Sequence, residues 1–283
     1  MEIKQTKKEI EKEKVASTPV PEAAVESVAE PVVEVKEEPK EESTELGGLE
    51  VGPARGKTWT PRTELGRKVL SGEVADIDAI LDSGKSIMEA EIVDYLLPGL
   101  ETDLLLIGQA KGKFGGGQRR AFRQNQKKTS EGNKIHFAAL AVVGNKNGYV
   151  GVGYGKAKET VPAREKALRN ARLGIFKIRR GAGSWESDSK DPTSIPFKVT
   201  GKNGAAQLTL FPAPKGTGLI VEKECSKILK LAGIQDVRSM VKQPKTKLNI
   251  LMACVKALRK LSTMKVREAD KETLSIVSGS GGR

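Results

Sequence analysis

Residues 134–180 read KIHFAALAVVGNKNGYVGVGYGKAKETVPAREKALRNARLGIFKIRR, and three patterns follow one another in them. Ile135 to Val143 is apolar and rich in β-formers. It breaks at Gly144-Asn145-Lys146-Asn147-Gly148, where an Asn-Gly pair favours the left-handed angles of a tight hairpin turn. A second run, Tyr149 to Tyr154, carries Gly151 and Gly153 and is followed by Gly155, leaving room for another backbone to come close. Ala163, Ala167, Leu168, Ala171 and Ile175 then recur at helical spacing, with Arg164, Lys166, Arg169 and Arg172 in the gaps. A β-hairpin backed by a helix with a cationic face suits nucleic acid as a partner.

The charge of the whole chain points the same way. Its 283 residues have room for two domains, or one with extensions, and carry a formal charge of +13. Residues 1–50 hold 14 Glu and 7 Lys with neither Asp nor Arg, a charge of −7, which leaves +20 for the rest. Such an excess attracts an anionic polymer through long-range steering and counterion release. Aromatic residues make up only 4% of the chain, so phosphate and shape recognition is expected rather than base stacking. Cys225 and Cys254 lie in apolar, helix-like surroundings outside any CxxC pair, which argues against disulfides and thiolate metal sites and fits a reducing, cytoplasmic setting. No run approaches a membrane-spanning length, and the Lys/Glu-rich start lacks signal-peptide character, so no membrane partner is expected.

Working outward, residues 1–56 form a Pro-punctuated acidic leader, predicted to be disordered because it has too little apolar surface to offset its ordering entropy. Residues 57–100 are predicted as a helical N-terminal extension with apolar stations at Leu65, Val69, Ile77, Ile80 and Leu81. Ser86 and Glu89 have capping-box spacing ahead of a helix that ends near Pro98. Leu104 to Ile107 reads as a short strand. Residues 108–134 then hold eight Lys or Arg against one acid, Glu131, with six glycines. That composition fails as core and suits RNA contact.

Residues 181–193 read as a linker. Beyond it, strands are predicted at Ile195–Thr200 and Ala206–Phe211 around a Gly201–Gly204 turn. A helix face follows over Val221–Ala232, then a strand over Ile234–Val241 and a helix over Leu248–Leu258. From 263 to 283 the periodicity is lost, which predicts a mobile or partner-ordered tail.

Little here resembles an enzyme. His136 is the only histidine, which excludes a multi-histidine metal site and leaves a strand-face role. Gly216, Thr217 and Gly218, between a strand and a helix, have amides that suit a phosphate, as in small-molecule kinases of the galactokinase type. The serine run of that loop and an accompanying Mg²⁺ carboxylate are missing. No catalytic residue, metal or cofactor is assigned.

Several segments together resemble one family. They are WTPRTELGRKV (59–69), EAEIVDYLLP (89–98), AVVGNKNGYVGVGYGKAKE (141–159), KIRRGAGSW (177–185), SIPFKVTGKNGAAQLTLFPAPKGTGLIV (194–221) and KLAGIQDV (230–237). In this order they closely resemble the universal small-subunit ribosomal protein number five family, in its archaeal and eukaryotic form. The resemblance covers about residues 57–262 and implies an α+β fold. It implies a double-stranded-RNA-binding-like domain over 101–180, a three-stranded antiparallel sheet with helices, whose first strand lies within Arg119–Lys128. The Leu104 strand then belongs to an insertion. A small two-layer α/β domain is implied over 194–262.

The family binds small-subunit rRNA near the messenger entry region, contacts neighbouring ribosomal proteins and supports decoding fidelity. As a structural constituent of the small subunit it would contact rRNA, neighbouring ribosomal proteins and messenger RNA. The residues expected to carry RNA contact are Lys111, Lys113, Arg119, Arg120, Arg123, Lys127, Lys128, Lys134, Lys146, Lys156, Lys158, Arg164, Arg172, Arg179, Arg180, Lys202 and Lys215. Two departures stand out. The loop that is strongly basic in many relatives reads SEGNK at 130–134, and Ala182, Glu186, Asp188 and Thr193 stand where some archaeal relatives place metal-binding Cys and His. No zinc is expected.

Overall fold

At the 144–148 turn, Asn145 Oδ1 accepts the amides of Asn147 (2.8 Å) and Tyr149 (3.2 Å), while Lys146 and Gly148 take φ of 56° and 92°. The turn therefore folds the chain back through an Asx interaction and two left-handed residues. The computed structural model of the chain describes residues 59–109, 119–187, 190–243 and 246–279. These all fall within one compact unit, 54–283. The acidic leader lies outside the described residues.

Three short helices come first: α1 (Glu64–Leu70), α2 (Ile77–Asp82) and α3 (Ala90–Leu96). Their apolar stations Val69, Ile77, Ile80, Ile92 and Val93 cluster with Tyr149 and Ile175 of the sheet that follows. The capping box predicted at Ser86 and Glu89 does not form. Glu89 occupies the N-cap position of α3, but its Oε1 accepts the amides of Arg62 (2.8 Å) and Thr63 (2.6 Å) at the start of α1. A tertiary partner outcompeted the local one.

The first sheet comprises β1 (Glu101–Leu105), β2 (Arg123–Thr129), β3 (Gly132–Gly144), β4 (Tyr149–Ala157) and, after helix α4 (Thr160–Leu173), β5 (Ile175–Lys177). All pairings are antiparallel, in the order β1-β3-β4-β5, with β2 also on β3. The sheet thus has five strands where three were expected. The reason is the length of β3, 13 residues, which accommodates two partners end to end: β2 along Gly132–Ala138 and β1 along Leu140–Gly144. The strand predicted at Leu104 is therefore a member of this sheet rather than part of an insertion beside it.

Helix α4 covers one face of the sheet. A Cβ added at Gly151, Gly153 or Gly155 would stand 2.1–2.3 Å from the backbone of Ala171, Ala171 and Ala163 in turn. Four helical residues rise about 6 Å and two strand residues about 6.8 Å, so Ala163, Ala167 and Ala171 step in near-register with the three glycines. Backbone meets backbone there, and the glycines serve that contact.

Past β6 (Arg179–Arg180) a second sheet forms from β7 (Val199–Asn203), β8 (Ala206–Pro212), β9 (Leu219–Ile220) and β10 (Val237–Lys242), in the order β7-β8-β10-β9. Only the β9–β10 pair is parallel. The first strand starts at Val199 rather than Ile195 because Pro196 has no amide to give a ladder. Gly201 is not in the turn but within β7, where a Cβ would lie 2.1 Å from the Ala253 carbonyl. Helix α6 (Lys247–Thr263) covers that sheet through β7 and β8, while α5 (Lys223–Ala232) packs on α6 and on β1, β3 and β4 of the first sheet. A single apolar cluster runs from Leu140, Val142 and Val150 of the first sheet through Ile228 and Leu229 to Leu208, Leu251 and Leu258.

The tail differs from expectation. Residues 268–273 form α7 (Glu268–Thr273), and β11 (Val277–Ser278) pairs antiparallel with β6. A two-residue backbone pairing needs no side-chain periodicity, so pattern reading missed it.

Candidate nucleic-acid interface

The β2–β3 ribbon loses its core outside Ala138. Residues 123–135 are exposed or half-buried along both strands, whereas Ala138 to Gly144 are buried. Strand alternation sorts their side chains. Arg123 pairs with Ala138, Asn125 with His136 and Lys127 with Lys134, so these side chains share one face. Ala138 also pairs with Lys156 of β4, which adds Lys156 to the same face. Lys127 and Lys134 stand directly opposite each other, a like-charge pairing that costs stability in a sheet unless an anion offsets it. Lys134 also meets Glu131 at 2.5 Å, but both side chains are solvent-exposed, so that pair contributes little. The result is a cationic strip of Arg123, Lys127, Lys134 and Lys156, with exposed Arg119 and Arg120 at its entrance.

The other expected residues distribute differently. Lys128 lies on the opposite face of the ribbon, and Lys158 and Arg164 are exposed just beyond β4 and on α4. Lys146 is paired with Glu101 at the far end of the sheet. Arg172 holds Asp94 at 2.9 Å and ties α4 to α3; burial raises the Asp94 carboxyl pKa against the lowering effect of that guanidinium. Arg179 donates to the Met264 carbonyl. Arg180 is buried, donating to Asn147 Oδ1 (2.7 Å) and the Gly279 carbonyl (3.3 Å), and burial lowers its pKa. Lys202 is exposed on the second sheet. Lys215 pairs with Asp191 at 2.5 Å, and the hydrogen bond to that carboxylate raises its pKa. Lys111 and Lys113 lie outside the described residues.

The glycine loop considered for phosphate already has an internal anion. Asp236, itself buried, accepts the amides of Gly216 (3.1 Å) and Gly218 (2.9 Å) on one carboxylate oxygen. Among the described residues, no group of three His, Cys, Asp or Glu is arranged to hold a metal, and no helix is long and apolar enough to cross a membrane. Cys225 and Cys254 are buried free thiols; the hydrogen bond between them and their burial push the Cys225 pKa up. A thiol so held is a poor nucleophile.

An α+β fold with a projecting cationic ribbon is the architecture of a binding protein for an anionic partner. Residues 121–179 match the family model described as ribosomal protein S5, N-terminal domain, and residues 201–273 the one described as ribosomal protein S5, C-terminal domain. The small ribosomal subunit protein uS5 of Nanoarchaeum equitans is 46% identical over 211 residues, 74% of this chain and 90% of that protein. Its counterpart in Methanosphaera stadtmanae is 41% identical, covering 78% and 91%, and that of Methanocaldococcus jannaschii 42%, covering 78% and 95%. The chain belongs to the ribosomal protein S5 family, whose members are structural proteins rather than enzymes.

Proposed function

We propose that this protein is a structural constituent of the small ribosomal subunit and that it binds small-subunit rRNA through the strip of Arg123, Lys127, Lys134 and Lys156. Family membership supports the subunit role. The facing Lys127–Lys134 pair carries the RNA assignment, since two ammonium groups held side by side on an exposed ribbon form a phosphate-binding arrangement. The α4-backed antiparallel sheet supports reading residues 101–180 as a double-stranded-RNA-binding-like domain. The second sheet, with Lys202, and the loop that carries Lys215 are then left for neighbouring ribosomal proteins or a narrow rRNA feature. A place beside the messenger entry region, a contribution to decoding fidelity and a cytoplasmic setting complete the reading; the family resemblance supports them. Combining Arg123→Gln, Lys127→Gln and Lys134→Gln should weaken binding to small-subunit rRNA and flatten its log–log salt dependence by roughly 2–3, at about 0.7–0.9 per phosphate contact. An unchanged slope would refute the strip as the RNA site.

A further inference from the structure

The face that carries the cationic strip also carries an open aromatic ring. On that face Leu140, Val142 and Val150 are buried, and Val152 is half-buried against the same cluster. The next β4 residue outward, Tyr154, is 42% exposed. It pairs with Leu140, one row in from Arg123–Ala138–Lys156, so both cations stand in the next row outward from the ring. Its backbone is fixed, because Asn170 Nδ2 on α4 donates to its carbonyl at 2.8 Å. Tyr154 lines a groove of about 750 Å³ with Arg120, Arg123, Asn125, and Thr246 and Leu248 at the start of α6. Lys247, which also lines it, is engaged with Glu222, and among the described residues no Asp or Glu lines the groove.

An exposed ring beside two cations and a side-chain amide matches the parts of an unpaired nucleotide. The ring supplies a stacking platform, the cations a phosphate seat, and the amide can bond a base edge. A base-paired helix keeps its bases stacked inside and cannot use the ring. We propose that this groove holds an unpaired ribonucleotide of small-subunit rRNA, its base stacked on Tyr154 and its phosphate held by Arg120 and Arg123. The proposal rests on the RNA-binding reading above and adds base contact to it. The scarcity of aromatics in the chain does not count against a single well-placed ring.

The test uses the full chain, a single-stranded oligoadenylate of about eight nucleotides and an RNA duplex of roughly 16 base pairs, titrated at several salt concentrations. Tyr154→Ala should weaken the single strand about tenfold while leaving duplex affinity and both salt slopes unchanged, since no charge is removed. Tyr154→Phe, which keeps the ring, should bind like the wild type. If the wild type binds both RNAs and Tyr154→Ala binds the single strand equally well, the groove assignment fails and RNA binding stands. A loss shared equally by single strand and duplex would also overturn the assignment. A wild type that binds neither RNA overturns both readings. In assembled subunits, photoreactive benzoylphenylalanine in place of Tyr154 should crosslink to an unpaired rRNA nucleotide. Crosslinks confined to messenger RNA or to protein would contradict the rRNA assignment.

Discussion

Gly153 faces the backbone of α4 so closely that a Cβ would lie 2.1 Å from the Ala171 amide and 2.4 Å from the Ala167 carbonyl. Neither atom belongs to a flexible side chain, so the helix itself must move to admit a methyl group. Gly153→Ala should therefore destabilise the fold by about 2–3 kcal/mol, read from urea midpoints with an unchanged m-value. At Glu89, burial disfavours the charged carboxylate, but the amides of Thr63 and Arg62 outweigh it and hold the pKa below its ordinary value. A lowered folded-state pKa stabilises the protein above the unfolded-state pKa, an advantage lost as pH falls through the folded value. Glu89→Gln should thus be less stable than the wild type at pH 7, and the gap should shrink as pH falls below the ordinary glutamate range. A gap independent of pH would contradict the carboxylate's role as the anionic acceptor for α1.

Along the ribbon, single substitutions should separate strip from surroundings. Lys127→Gln should lower the salt slope of RNA binding by roughly 0.7–0.9, while Lys68→Gln, exposed on α1, should leave it unchanged. The tail belongs at the same scale. Arg180→Ala removes a buried guanidinium that links Asn147 of the turn to the Gly279 carbonyl, and should cost roughly 2–3 kcal/mol in chemical denaturation. Which elements were legible in the sequence follows from the forces that form them. The Asn-Gly turn, the long β3 and the alanine stripe of α4 are set by local chemistry and periodicity, and all three were readable. The glycines of β4 announced a close approach but not its partner, because α4 follows β4 directly in sequence while the face of the sheet it folds back over is not encoded in the strand's own spacing. The pairing of β11 with β6, the second occupant of β3's edge and the inward turn of Arg180 depend on contacts some 40 to 100 residues apart, and nothing local encodes them.

For the whole molecule, a shared core sets the arrangement of the two sheets. Apolar residues from both sheets join in one cluster, which buries one half of the first sheet's face and leaves its outer rows free. The positive charge of the candidate site was legible as composition, but its geometry was not. Of the cations expected to touch RNA, Arg172, Arg179 and Arg180 serve the fold, while Arg123, Lys127, Lys134 and Lys156 converge through strand register. Sequence spacing alone does not separate these groups, since the distinction rests on which strand faces which. The central claim is that this chain takes its place in the small subunit by means of that strip. Sucrose-gradient fractionation of cell extracts, following the full chain beside its Arg123→Gln, Lys127→Gln, Lys134→Gln variant, tests it most directly. The wild type should sediment with the small subunit and the folded variant should shift toward the top of the gradient. A wild type that stays at the top, or a variant incorporated as fully as the wild type, would contradict the account.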